Sequence, residues 1–229
     1  MKNQFLPKVK KELIVSCQAL TDEPLHSSFI MSRMALAAEQ AGAKGIRANS
    51  VEDIIAIKQV VNLPIIGIIK KEYPDTEVYI TPTIEEVRAV CETGVEVVAL
   101  DATTRTRPGN MKLSEIVNTI KKEYPQILLM ADTSNLDEVE LANELGFDMV
   151  GTTLYGYTKE TEGANVSDNN FEYLKRVIET SRIPVIAEGK VDTPKKANIV
   201  LQLGAHAVVV GGAITRPKQI AEGFVRAIK

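Results

Sequence analysis

"LGAHAVVV", residues 203–210, holds the pattern that decides the fold. A helical segment ends, a glycine follows, a two-residue linker turns the chain, and a β-branched run begins. The same grammar recurs in "AGAKGIRA" (41–48), "TGVEVVAL" (93–100) and "LGFDMVGT" (145–152). Glycine is the usual helix stop because it takes the left-handed conformation without a Cβ penalty. Outward from these four places the chain alternates short apolar runs with amphipathic segments. The runs are Leu13–Cys17, Gly45–Ala48, Pro64–Lys70, Glu96–Asp101, Ile127–Asp132, Asp148–Thr152, Pro184–Glu188 and Ala207–Gly211. Helical patterns lie near 28–41, 51–61, 83–93, 112–123, 135–145, 170–180, 194–203 and 217–228.

The runs are apolar on both faces rather than strictly alternating, which is the mark of parallel strands covered on both sides. Eight strand–helix units fill residues 1–229 and predict a single-domain (β/α)8 TIM barrel of the α/β class. Pro64 and Pro184 open strands, where a missing N–H does least harm. Asn49-Ser50 and Thr193-Pro194 read as helix starts. An open doubly wound sheet is the alternative. The turn after the first strand, Cys17-Gln18-Ala19-Leu20, has no glycine-rich dinucleotide fingerprint.

Composition narrows the function. The chain has 229 residues, 45% of them hydrophobic and 25% charged, with a net charge of -3. No basic run points to nucleic acid or an anionic membrane, so an anionic ligand needs a local positive site. Two cysteines, Cys17 and Cys91, make neither a disulfide framework nor a zinc pattern. Two histidines leave little for a histidine-based metal site. With no secretory h-region and no apolar run of membrane-spanning length, the expectation is a soluble cytoplasmic protein.

In this fold the active site forms at the C-terminal ends of the strands. The polar residues ending apolar runs are Gln18, Arg47, Lys70 with Lys71, Asp101, Asp132, Thr152 with Thr153, and Glu188. Burying such groups is costly unless they are paired or used. In "GIIKK" (67–71) strand alternation sends the two lysines to opposite faces, so at most one can enter the barrel. Gly67 leaves space either inside the barrel or beneath a helix. Glu85-Glu86 reads as a solvated helix start, and Tyr155 and Tyr157 lie in a polar loop of lid-like length. Strands 7 and 8 end in "AEGK" and "VVVGGAITRP". Small residues there let backbone N–H groups approach an anion, beside a short helix after strand 8. Gly189, Gly211 and Gly212, with Lys190 or Arg216, are the expected phosphate site after strands 7 and 8.

"IVSCQALTDEPLHSSFIMSRMALAAEQAGAKGIRA", "LPIIGIIKKEYPDTEVYITPT", "ALDATTRTRPG", "LLMADTSNLDE", "TTLYGYT", "PVIAEGKVDTP" and "AVVVGGAITRP" resemble the bacterial N-acylglucosamine-6-phosphate 2-epimerases. These are the N-acetylmannosamine-6-phosphate epimerases of sialic acid breakdown. The resemblance runs from about residue 12 to the C-terminus. It implies a barrel acting on a phosphorylated amino sugar, a homodimer, and no metal or organic cofactor. It implies that the family's catalytic lysine falls on Lys70 and its glutamate on Glu188. Substrate contacts fall on Gln18, Arg47 and Asp132, and the "ITRP" arginine on Arg216. Lys190 stands where relatives tend to carry arginine, and the two cations are not interchangeable at a bidentate phosphate contact.

The chemistry so implied is inversion at C2 through an open-chain aldehyde and an enolate. A neutral lysine can serve as base if burial and nearby cations lower its pKa. Glu188 could return the proton on the opposite face, assist ring opening, or hold Lys70. Two other readings stand beside this one. A lysine Schiff-base aldolase would also use a strand-end amine, and a phosphosugar sensor would need phosphate contacts but no base.

Overall fold

Eight parallel strands pair in sequence order and close on themselves. They are β1 (Leu13–Cys17), β2 (Gly45–Asn49), β3 (Ile65–Ile68), β4 (Val97–Asp101), β5 (Leu128–Asp132), β6 (Met149–Gly151), β7 (Val185–Ala187) and β8 (Ala207–Val210). The last closes against the first, with Ile14 opposite Val209. The chain is therefore a (β/α)8 barrel and not an open sheet. The structure, a computed structural model, describes residues 3–229.

Ten helices accompany the strands among the described residues: α1 (Phe5–Val9), α2 (Ser28–Gln40), α3 (Val51–Lys58), α4 (Ile84–Glu92), α5 (Leu113–Glu123), α6 (Leu136–Leu145), α7 (Asp168–Thr180), α8 (Pro194–Gln202), α9 (Gly212–Thr215) and α10 (Pro217–Ala227). Their starts are set locally. Asn135 with Glu138, and Thr83 with Glu86, form reciprocal capping boxes at α6 and α4. Thr193 Oγ1 accepts the Lys196 N–H just before Pro194 opens α8. At the other end, Gly42, Gly94, Gly146 and Gly204 all have positive φ, as the repeated pattern requires.

The apolar residues divide into two layers, as expected of parallel strands. Ile14, Ile66, Ile68, Val97, Ala99, Met130, Met149, Ile186, Ala207 and Val209 fill the barrel. Val15, Cys17, Ile46, Ala48, Ile65, Val98 and Leu100 face the helices. Gly67 belongs to the outer layer. A Cβ there would lie 2.5 Å from Val90 Cγ1 and 3.0 Å from Ile54 Cδ1, so the missing side chain makes room for α3 and α4. The short α1, absent from the sequence reading, buries Phe5 and Val9 among the interior residues. Asn3 anchors it by donating to the Glu96 and Gln126 carbonyls.

Candidate active site

The site is built around Arg47. Its position on β2 turns it into the barrel with Gly45, and it is 1% exposed. Nη2 meets Asp132 Oδ2 at 2.5 Å and Nη1 meets Asp132 Oδ1 at 3.1 Å. Nη1 also donates to Glu188 Oε2 at 3.0 Å. Burial works against the guanidinium charge, and Asp132 and Glu188 more than offset it, so Arg47 stays protonated. Removing one partner of such a buried pair costs about 3–5 kcal/mol, because it strands the other charge. Space for the cluster comes from Gly151. A Cβ there would run into Met130 and come within 3.1 Å of Asp132 Oδ1.

Lys70 lies two residues past the end of β3. Its N–H donates to Asn49 Oδ1 at 2.7 Å, and it forms an isolated bridge with Ile80. Burial, then Arg47 and Arg216, push its amine down to about 8. No ion pair joins it to an acidic group among the described residues. Lys71 turns outward, half exposed, with partners of its own. Its Nζ is 2.9 Å from Glu86 Oε1 and 4.7 Å from the Tyr73 ring centre. Glu86 is no solvated helix start. It is 5% exposed and holds Lys71, Tyr73 and Thr83 together.

Glu188 lies one residue past β7. Thr152 fixes its backbone, accepting its N–H at 3.0 Å and donating to its carbonyl at 2.6 Å. Burial raises the Glu188 pKa above its ordinary value. Arg47 opposes that rise and Asp132 reinforces it.

A cavity of about 680 Å³ opens at this end of the barrel. It is lined by Lys70, Glu188, Gln18 and Arg47, and by Gly189, Lys190, Gly211, Gly212 and Arg216. Asp132 is the candidate that does not line it. Fully buried, it is held by Arg47 and by Thr153, whose Oγ1 lies 2.6 Å from Asp132 Oδ1. The cationic candidates have partners of their own. Lys190 Nζ donates to the Ala164 carbonyl at 2.7 Å, and Arg216 Nε is 3.2 Å from Glu23 Oε1. Gln18 donates to Ser16 Oγ at 2.8 Å.

Tyr157 joins the lining, whereas Tyr155 stacks on Tyr173. Asp101 is fully buried on Thr103 and Arg105. Thr153, Tyr79 and Ser16 also line the cavity. Thr153 carried a sequence signal as a strand-end hydroxyl. Tyr79 carried none, since the chain past β3 folds back on Lys70 only in three dimensions. Among the described residues no group of three or more His, Cys, Asp or Glu could hold a metal ion.

A family model described as "Putative N-acetylmannosamine-6-phosphate epimerase" matches residues 31–229. Relatives from Lactiplantibacillus plantarum and Listeria welshimeri are both described as "Putative N-acetylmannosamine-6-phosphate 2-epimerase". The first is 62% identical over 228 residues, covering 100% of both chains. The second is 60% identical over 229 residues, covering 100% of this chain and 97% of the relative. The solved N-acetylmannosamine-6-phosphate 2-epimerase of Clostridium perfringens superposes with a TM-score of 0.92 at 52% identity, covering 97% of this chain and 95% of that one. The thiamine phosphate pyrophosphorylase of Pyrococcus furiosus, at 18% identity and a TM-score of 0.60, shares the fold alone.

Proposed function

The chain belongs to the N-acetylmannosamine-6-phosphate epimerase family, and from that premise we propose how it interconverts N-acetylmannosamine 6-phosphate and N-acetylglucosamine 6-phosphate in sialic acid catabolism: Lys70 and Glu188 exchange the proton at C2 from opposite sides. One observation carries this reading. In a closed ring of eight strands, β3 and β7 are four steps apart in either direction. The residues that extend them, Lys70 and Glu188, therefore face each other across the cavity mouth. A sugar between them presents one face of C2 to the amine and the other to the carboxyl. That is the geometry an inversion needs and a single base does not supply.

The sugar ring opens first, because C2–H is acidic only beside an aldehyde. The neutral Lys70 amine takes the C2 proton, negative charge develops on O1, and Glu188 returns a proton to the other face. The reverse reaction uses the same pair with the proton moved across. An ion pair between the two would hold Lys70 protonated. No ion pair joins the two among the described residues, and Glu188 Oε2 accepts a hydrogen bond from Arg47, so the amine stays available as a base. Arg47 also supplies positive charge beside the forming enolate. Asp132 and Thr153 keep that guanidinium in place. Gln18 takes the acetamido group. Gly189, Gly211 and Gly212 offer backbone N–H groups to the phosphate, with Lys190 and Arg216 as its cations. The remote phosphate then orients C2. We place the enzyme in the cytoplasm as a homodimer. Uncovered apolar side chains on α10 and just past its end, with Phe224 71% and Ile228 85% exposed, support the dimer.

The test is Lys70→Ala, assayed by proton NMR for epimerisation and for exchange of C2–H in deuterated water. Both rates should fall by about 10²–10⁴-fold, the usual contribution of a positioned base. Exchange at the wild-type rate would remove Lys70 as the base. Borohydride with substrate should trap no adduct; a lysine adduct would favour the Schiff-base aldolase reading. A sensor would bind the phosphosugar and turn none of it over.

A further inference from the structure

Lys190 follows Gly189 just past β7 and holds the loop between β6 and α7. Its Nζ donates to the Ala164 carbonyl at 2.7 Å and lies 5.3 Å from the centre of the Tyr157 ring. Gly156, with φ 88°, makes room for both contacts. A Cβ there would run into the Ala164 carbonyl oxygen and come within 3.0 Å of Lys190 Nζ. Thr161 closes the loop on itself, its Oγ1 accepting the Gly156 N–H at 2.9 Å. The loop also reaches across the barrel mouth, where Lys159 pairs with Glu77 past β3. Tyr157 is thereby set at the cavity, half exposed. The charged groups facing its hydroxyl are Glu188 and Arg216. Among the described residues nothing accepts a hydrogen bond from that hydroxyl. Burial, then Glu188, raise the phenol pKa above its ordinary value against Arg216, so the group is a donor at neutral pH.

We infer that Tyr157 is a further substrate-binding residue, donating a hydrogen bond from its hydroxyl to the sugar phosphate, and that Lys190 is the positioning residue that seats it there. The inference rests on the reading of the cavity beside β7 and β8 as the phosphate site. A neutral donor with Lys190 at its ring and Arg216 at its hydroxyl suits an oxyanion, and a hydrogen bond to an oxyanion is stronger than one to a sugar hydroxyl. The ammonium at the ring face adds its own attraction. An ammonium has three N–H groups. Ala164 takes one, which leaves Lys190 able to serve the phosphate while it holds the loop.

The experiment measures KM and kcat by proton NMR, and the inhibition constant of inorganic phosphate, in wild type, Tyr157→Phe, Lys190→Met and the double variant. Phenylalanine keeps the ring beside Lys190 and removes only the hydroxyl. It should raise KM and the phosphate constant together, by about 10-fold, the worth of one hydrogen bond to a charged group. kcat should fall far less than KM rises. Lys190→Met should raise both constants at least as far. The double variant should be no worse than Lys190→Met, because an unseated Tyr157 has no hydrogen bond left to lose. Unchanged constants in Tyr157→Phe overturn the contact. A higher KM with an unchanged phosphate constant moves the contact to the sugar and overturns it as well. Additive effects in the double variant overturn the positioning role of Lys190. The phosphate site itself is judged separately: wild-type inhibition by phosphate in Arg216→Met would remove Arg216 from it whatever Tyr157 does.

Discussion

Lys70 and Lys71 share one peptide bond and have opposite surroundings. Lys70 is pushed down to about 8 by burial and two arginines, while Lys71 is tied to Glu86 on the outside. The proposed chemistry then fixes a pH profile. The reacting pair must hold one proton between Lys70 and Glu188. Below the raised Glu188 pKa both groups are protonated and no base remains. Above the Lys70 pKa neither is, and no acid remains. A plot of kcat/KM against pH should be bell-shaped, with its alkaline limb near 8 and its acid limb above the ordinary 4.5 of glutamate. These limbs belong to the coupled pair. An alkaline limb near the ordinary lysine value of about 10.4 would contradict the lowered amine. At this scale the sequence is legible in part. Alternation separates the two lysines but does not choose between them. It also cannot separate Asp132 from Glu188, since both are carboxylates ending an apolar run. The difference is depth. Asp132 is the last residue of β5 and lies under Arg47, whereas Glu188 lies one residue past β7 and reaches the cavity.

The strand and helix pattern was readable because it repeats. A glycine stop, a linker and a β-branched run recur often enough to set both order and direction, and closure follows from having eight such units. The elements that escaped are those without a period. The five residues of α1, "FLPKV", are too few to show an apolar stripe and include a proline. Yet Phe5 is 0% exposed and belongs to the interior cluster. Phe5→Ala should therefore cost about 3–5 kcal/mol, the price of emptying an aromatic site in a packed core. A urea unfolding series would read this as a lower midpoint with an unchanged slope. Because α1 precedes β1, it packs at the N-terminal end of the barrel, away from Lys70 and Glu188, so KM should stay near wild type. A midpoint within experimental error of wild type would mean that α1 does not close the barrel floor.

At the scale of the whole molecule, α10 joins the cavity at the barrel mouth to the outer surface. Its Gln219, Ile220 and Gly223 line the cavity next to Arg216. None of its residues is buried; Phe224 and Val225 are 71% and 45% exposed, and Ile228, the residue after its end, is 85% exposed. An amphipathic helix with its apolar side uncovered gains about 1.5–3 kcal/mol for each large side chain that a partner buries. A second copy of the chain is the proposed partner, and its contact would steady the helix bordering the cavity. Phe224→Asp should then shift the protein from dimer to monomer in light scattering after gel filtration. It should also raise KM for the phosphorylated sugar more than it lowers kcat, because the helix it loosens lies beside the proposed phosphate cations and not beside Lys70's strand. A wild-type protein that elutes as a monomer at all concentrations would refute the dimer. A variant that stays dimeric would place the interface away from α10.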